Sequence, residues 1–90
     1  MKKHIIISGS VQGVGFRYWL HQVAMQKNIN GWVKNKISGK VEALLIGNGT
    51  EINNLIKLCK KGPLSSKVTK IEVQNYQKEH FGKSFEIISS

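Results

Sequence analysis

The residues best suited to chemistry lie in one short stretch near the N-terminus that holds three glycines and one arginine. It reads Gly9-Ser10-Val11-Gln12-Gly13-Val14-Gly15-Phe16-Arg17, and it lies between a run of three isoleucines and a segment with helical spacing. Glycine lets backbone N–H groups approach a ligand closely, and a loop that leads into a helix forms a concave site for anions. The planar guanidinium of Arg17 can bind two phosphate oxygens at once. This stretch therefore predicts a phosphate cradle.

A second stretch, Gly31-Trp32-Val33-Lys34-Asn35, ends on an amide side chain. An asparagine at the end of a strand is usually a turn residue that bonds locally, but its amide could also orient a water molecule. The first stretch lacks the Gly-Lys-Ser/Thr ending of a Walker A motif, and Gly13 and Gly15 are not followed by the third glycine of a dinucleotide-binding motif. The phosphate therefore need not belong to a nucleotide.

The acidic and sulfur-containing residues exclude several kinds of site. The chain has no aspartate, and its five glutamates never fall close together in sequence, which disfavours a carboxylate pair or a magnesium or calcium site. Cys59 is the single cysteine, so an intramolecular disulfide and a Cys-x-x-Cys zinc site are excluded. It falls on an apolar helical stripe and is expected to be a small buried hydrophobe, whereas His21 is expected on the helix surface.

The chain is strongly basic, with a formal charge of +9 that comes from fourteen basic residues against five glutamates. Such a charge gives a solvated basic surface, or a field that attracts small anions or nucleic acid. The N-terminal isoleucine run is too short for a signal peptide, and no stretch reaches membrane-spanning length. A lone thiol fits a reducing compartment. We therefore expect a cytoplasmic protein without a membrane partner, folded as one domain over residues 1–90.

The elements that must position these groups alternate between strand and helix. Strands are predicted over residues 4–9, 31–35, 40–46 and 68–73, with an added short strand over residues 85–88. One helix is predicted over residues 16–27. A second helix is predicted from the N-cap Thr50 to Lys61, and Gly62 and Pro63 end it. The order β-α-β-β-α-β predicts an α+β fold of the ferredoxin-like type. In that fold two helices cover one face of an antiparallel sheet.

Taken together, the two stretches resemble the two signatures of the acylphosphatases. The run from Val11 to Arg17 resembles the first signature, and Gly31 to Asn35, followed by Gly39, Val41 and Gly47, resembles the second. The likeness extends from about His4 to Ile88. It implies a ferredoxin-like fold and metal-free, cofactor-free hydrolysis of the carboxyl–phosphate bond of small acyl phosphates, giving a carboxylate and inorganic phosphate. Ser10 departs from the pattern, since many relatives carry a basic residue there, and this bears on substrate affinity.

The resemblance also implies the roles of individual residues. Arg17 would bind the phosphate and Asn35 would place the attacking water. Backbone N–H groups would complete the phosphate site, from Val11, Gln12, Gly13, Val14, Gly15 and Phe16. No side-chain base lies near Asn35 in sequence, so the substrate's own phosphate is expected to accept the proton of that water. A chain this short with a complete core is expected to be monomeric.

Two other functions fit the same fold. The first is a nucleic-acid-binding module, since RNA-recognition domains share this architecture and the net charge is suitable. Those domains stack bases on aromatic residues of the central strands, and residues 5–7 and 41–46 contain none. The second is a phosphate-binding module without turnover, which the presence of both Arg17 and Asn35 disfavours. No specific nucleic-acid partner is expected.

Overall fold

A computed structural model describes residues 1–80 and 82–88 of the chain. Its elements follow one another as β1 (Lys2–Ser10), α1 (Phe16–Gln26), β2 (Asn30–Asn35), β3 (Val41–Ile46), α2 (Gly49–Lys61), β4 (Lys67–Asn75) and β5 (Phe85–Ile88). The predicted β-α-β-β-α-β order with one added strand is confirmed.

The strands form one sheet in the order β4-β1-β3-β2-β5. β1 is antiparallel to both β3 and β4, and β2 is antiparallel to β3, as predicted for a ferredoxin-like fold. β5 pairs with β2 in the parallel direction, from Gly31–Phe85 to Lys34–Ile88. The sheet is therefore mixed rather than wholly antiparallel. The two edge strands, β4 and β5, follow one another in the chain and run in opposite directions.

The core lies between one face of the sheet and the two helices. Side chains of β1, β2 and β3 that point to this face alternate along each strand, as a pleated backbone requires. They meet the apolar stripes of both helices, and the core positions are Ile5, Ile7, Val33, Val41, Ala43, Leu45, Phe16, Leu20, Ala24, Ile52, Leu55 and Cys59, each at most 1% exposed. Cys59 is a buried hydrophobe, as expected.

One local feature differs from the sequence prediction, and another departs from regular strand geometry. Thr50 is not the N-cap of α2; Asn48 is, and its side-chain oxygen accepts from the backbone N–H of Thr50 at 2.9 Å and of Glu51 at 3.2 Å. In β4 the alternation is broken by a bulge opposite Ser8 and Gly9, where the register shifts by one residue. Val68 and Ile71 consequently both pack against the core, although they are three positions apart.

Gly9 has a structural role at this bulge. Its φ is +127°, and a Cβ added there would collide with the backbone carbonyl oxygen of Lys67. The first glycine of the nine-residue stretch is thus required by the close approach of β4. The other two glycines belong to the loop that follows.

Candidate active site

The loop between β1 and α1 curls through two glycines with left-handed backbone. Gly13 has a φ of +73° and Gly15 a φ of +77°, values that residues with a Cβ rarely adopt. A Cβ at either position would meet no other atom within 4 Å. The backbone conformation, and not crowding, therefore selects glycine at both positions, and the space beside them stays open.

Helix α1 begins directly from this loop without a side-chain cap. Gly15 is its N-cap and has no side chain to accept a hydrogen bond, and the first turn carries no acidic residue. The first helical bond runs from the N–H of Trp19 to the carbonyl oxygen of Gly15 at 3.0 Å. The N–H groups of Phe16, Arg17 and Tyr18 precede that bond and have no acceptor within the helix. They form a region of positive potential at the loop.

A cavity of about 190 Å³ opens at this end of the helix and contains both motifs. It is lined by Val11, Gly13, Gly15, Phe16, Arg17, Tyr18, Asn35 and Ile87. Arg17 and Asn35, which are eighteen positions apart in sequence, thus line the same cavity. Within the described part of the chain, Arg17 takes part in no salt bridge. No carboxylate of residues 1–80 or 82–88 therefore engages its guanidinium.

Asn35 ends β2, where it pairs with Val41 at the start of the β2–β3 hairpin. Its side-chain oxygen is buried and has no hydrogen-bond partner among the residues that the structure describes. An unsatisfied buried acceptor costs about 1–3 kcal/mol. A water molecule donating to this oxygen would remove that cost, so the geometry suits an amide that binds water.

Gln12 and Val14, which belong to the predicted phosphate loop, do not line the cavity. Val14 packs partly buried against the core. The Gln12 side chain reaches across to the β2–β3 hairpin, where its amide nitrogen donates to the carbonyl oxygens of Lys36 at 2.7 Å and Lys40 at 2.9 Å. Sequence reasoning assigned only the backbone N–H of Gln12 to the site and missed this side-chain contact. The residues next to Gln12 in the sequence do not indicate which backbone carbonyls its side chain will reach.

No histidine or carboxylate lines the cavity, within the part of the chain that is described. Glu42 is the glutamate nearest to Asn35 in the sheet register, but its carboxylate contacts His4 Nε2 at 2.6 Å and Lys34 Nζ at 3.6 Å. Burial alone would raise the pKa of Glu42, yet the hydrogen bond from His4 and the charge of Lys34 hold that pKa below its ordinary value. A carboxylate with a lowered pKa and two partners is a poor general base.

Two other titratable groups also lie outside the cavity. Burial raises the pKa of the Cys59 thiol to about 12, which leaves almost no thiolate for nucleophilic attack. His21 is not on the helix surface as predicted: it is half-buried, with its ring 6.1 Å from that of Phe85 and its Nδ1 buried without a partner among the described residues. The chemistry available in the cavity is therefore positioning and electrostatic stabilisation.

Metal-ligating side chains do not cluster in the described part of the chain, where no three of His, Cys, Asp or Glu come together. Neither described helix has the length and apolar character needed to cross a membrane.

Comparisons with known proteins extend over nearly the whole chain. The family model for acylphosphatase matches residues 3–87. The acylphosphatase of Alcanivorax borkumensis is 42% identical over 72 residues, which cover 80% of this chain and 78% of the relative. That of Moorella thermoacetica is 36% identical over 90 residues, covering 100% and 96% respectively. The crystal structure of acylphosphatase from Bacillus subtilis matches with a TM-score of 0.91 and 37% identity, and covers 97% of both chains.

Proposed function

Because the chain belongs to the acylphosphatase family and hydrolyses acyl phosphates, we propose that Arg17 and the N–H groups of residues 11–16 hold the phosphate while Asn35 positions the attacking water. The observation that carries the proposal is the buried oxygen of Asn35, unpaired among the described residues, in the same cavity as Arg17 and the uncapped end of α1. One wall of the cavity is thus suited to an anion and another to a water molecule.

The phosphate binds where positive charge is already oriented. The N-terminus of α1 contributes roughly half a positive charge, and the Arg17 fork adds a full one that can contact two oxygens. As the metaphosphate-like transition state forms, charge spreads over three equatorial oxygens, and fixed donors stabilise it without reorganising. The side chain and the backbone therefore supply what a metal ion supplies in many other phosphoryl-transfer enzymes.

The hydrolysis needs little acid–base catalysis. Water donates one hydrogen bond to the Asn35 oxygen, and its own oxygen forms the new bond to phosphorus while the bond from phosphorus to the acyl oxygen breaks. The acyl group leaves as a carboxylate, which is stable without protonation. The proton of the water passes to a phosphate oxygen, because no histidine or carboxylate lines the cavity in the described chain. The products are a carboxylate and inorganic phosphate.

We also propose that the chain acts as one domain and as a monomer in the cytoplasm, without metal, cofactor or nucleic-acid partner. A single continuous core supports the first statement, and the lone buried thiol fits a reducing compartment. A nucleic-acid-binding module without turnover is the alternative. It is disfavoured because β1 and β3, two of the three interior strands of the sheet, contain no Phe, Tyr or Trp on which bases could stack.

The test is the hydrolysis of benzoyl phosphate by Asn35→Ala, in the presence of a chelator. We expect kcat to fall by about a hundredfold to a thousandfold, the usual cost of losing one preorganised group. The inhibition constant of inorganic phosphate should change little, since the cradle and Arg17 remain. Asn53→Ala, on the exposed face of α2, is the matched control and should keep wild-type kcat.

Two results would contradict the proposal. Wild-type kcat in a folded Asn35→Ala protein would remove Asn35 from the reaction. Loss of activity on chelation, with recovery on adding back a divalent metal, would show that positioning and backbone donors are not sufficient.

A further inference from the structure

The Gln12 side chain joins the β1–α1 loop to the β2–β3 hairpin, and residues of both segments line the cavity. Its amide nitrogen donates to Lys36 O at 2.7 Å and to Lys40 O at 2.9 Å, from the β1–α1 loop to the β2–β3 hairpin. The same two carbonyls close the hairpin, since Gly39 N–H donates to Lys36 O and Lys36 N–H donates to Lys40 O. Gln12 is thus attached to the hydrogen-bonded turn that closes the hairpin.

The two segments extend beyond the part of the sheet that holds them in register. β1 and β3 are paired as far as Ile7 and Val41. Past that pair, no other side chain in the described chain forms a hydrogen bond between residues 8–16 and residues 35–40. The Gln12 amide therefore ties the loop to the hairpin where the strand pairing no longer does so.

The position of the Asn35 side chain depends more on the Gln12 hydrogen bonds than the position of Arg17 does. The Asn35 side-chain oxygen has no protein partner among the described residues, so its place in the cavity follows from the backbone at the end of β2, where Asn35 pairs with Val41 immediately before the turn that Gln12 contacts. Arg17 is carried by α1, which packs against β2 and β5 in the core. A shift of the hairpin relative to the loop would move the water site away from the phosphate site.

We propose that Gln12 is a positioning residue that sets the distance between the phosphate cradle and Asn35, and this rests on the roles proposed above for those groups. A primary amide suits the task because it carries two N–H donors, one for each carbonyl. Asparagine is one methylene shorter, and glutamate would place a carboxylate against two carbonyl oxygens. A displacement of about 1 Å can reduce a rate about a hundredfold.

The first experiment compares Gln12→Met with wild type in the hydrolysis of benzoyl phosphate. Methionine keeps the length of the side chain and removes both donors, and each hairpin carbonyl retains its backbone partner. We expect kcat to fall about tenfold to a hundredfold, with little change in the inhibition constant of inorganic phosphate. Gln22→Met, exposed on α1, is the matched control and should behave as wild type.

The second experiment is a double-mutant cycle with Asn35→Ala, which separates positioning from a general structural role. If Gln12 acts by placing Asn35, then Gln12→Met should cost little further kcat once Asn35 is alanine. If it only stabilises the fold, the two losses should multiply. Should Gln12→Met fail to fold, Gln12→Asn, which keeps the amide polarity, takes its place in the same cycle.

The outcomes are distinct from those of the proposed function. Wild-type kcat in Gln12→Met, multiplied losses in the cycle, or a weaker phosphate inhibition with kcat preserved would each overturn the positioning role. Wild-type kcat in Asn35→Ala would instead overturn the role of Asn35 itself, whatever Gln12 does.

Discussion

The two helices pack against the same sheet but begin in opposite ways. At the start of α2, Asn48 accepts from two backbone N–H groups, and Glu51, three residues later, places a negative charge in the first turn. At the start of α1 the N-cap is Gly15, with no cap side chain, and the position equivalent to Glu51 is Tyr18, 65% exposed and uncharged. The N-terminus of α2 is thus capped by its own side chains, whereas that of α1 has no side-chain cap and no acidic residue in its first turn.

The difference is one of stability at α2 against an open helix end at α1. A side-chain cap contributes about 1 kcal/mol, and an acid in the first turn contributes about 0.3–1 kcal/mol. α1 lacks both contributions at the one helix end that opens into the cavity with Arg17 and Asn35. The same backbone donors that would have been capped are then free to bind an anion.

The largest effect should come from Arg17, the side chain proposed above to bind the phosphate together with the uncapped end of α1. We expect Arg17→Lys to lower kcat/KM by about a hundredfold to a thousandfold or more. This corresponds to about 3–4 kcal/mol of lost transition-state stabilisation, because an ammonium cannot bind two phosphate oxygens at once. Steady-state assays with benzoyl phosphate measure the loss, and urea unfolding should give an unchanged midpoint. Lys57→Arg, exposed on α2 and outside the cavity, is the matched control because it exchanges the same two basic side chains; a comparable loss there would mean that the exchange itself, and not the place of Arg17, lowers the rate.

A smaller effect is expected when the first turn of α1 is made like that of α2. Tyr18→Glu should weaken inhibition by inorganic phosphate about tenfold, since the dianion would face a new negative charge at a cost of about 1.4 kcal/mol. In phosphate-free buffer the same change should stabilise the fold by about 0.3–1 kcal/mol. Tyr18→Gln separates the charge from the loss of the ring. Equal inhibition constants for the two variants would contradict anion binding at this end of the helix.

The reverse test is to remove the cap of α2. Asn48→Ala should lower the free energy of unfolding by about 1 kcal/mol, because two backbone N–H groups lose their acceptor. Activity should stay at the wild-type level, since α2 does not line the cavity. Denaturant unfolding and a kinetic assay on the same sample measure both quantities, and a fall in kcat at unchanged folded fraction would show that the two helix ends are not independent.

The smallest effect is expected for Glu51→Gln. The lost interaction with the helix dipole is worth about 0.3–1 kcal/mol, and the pair with Lys27 at 3.9 Å adds little at this exposure. The destabilisation should shrink further at high salt, because screening weakens exposed charges. Unfolding midpoints at low and high ionic strength measure this. A destabilisation that does not depend on salt would point to lost packing instead.

The contrast between the helix ends also shows what the sequence could predict. The spacing of apolar residues, the positions of the glycines and the Lys60-Lys61-Gly62-Pro63 ending were enough to place both helices and to give the order of the elements along the chain. They did not identify the α2 cap, because Thr50 and Asn48 are both good capping residues and only the backbone geometry chooses between them. The parallel direction of β5 was missed for a similar reason, since strand patterns carry no information on which edge a strand joins.

The candidate site divides in the same way. Residue types at fixed spacing predicted the phosphate loop, Arg17 and Asn35. In the fold, Arg17 and Asn35 line one cavity together with four residues of that loop, Val11, Gly13, Gly15 and Phe16. The contact of Gln12 with Lys36 and Lys40 joins positions that are 24 and 28 residues apart and ends on backbone carbonyls. Every residue has such a carbonyl, so no pattern of side chains could have indicated these partners.

The buried thiol of Cys59 allows the separation of α2 from the sheet to be measured by the rate of thiol labelling. With its pKa raised to about 12 and its side chain enclosed in the core, it can be alkylated only when the helix separates from the sheet. The labelling rate therefore reports an opening equilibrium in native buffer, free of interference from a second thiol. Added phosphate would slow the labelling if α1 and α2 open together, and would leave it unchanged if α2 detaches alone.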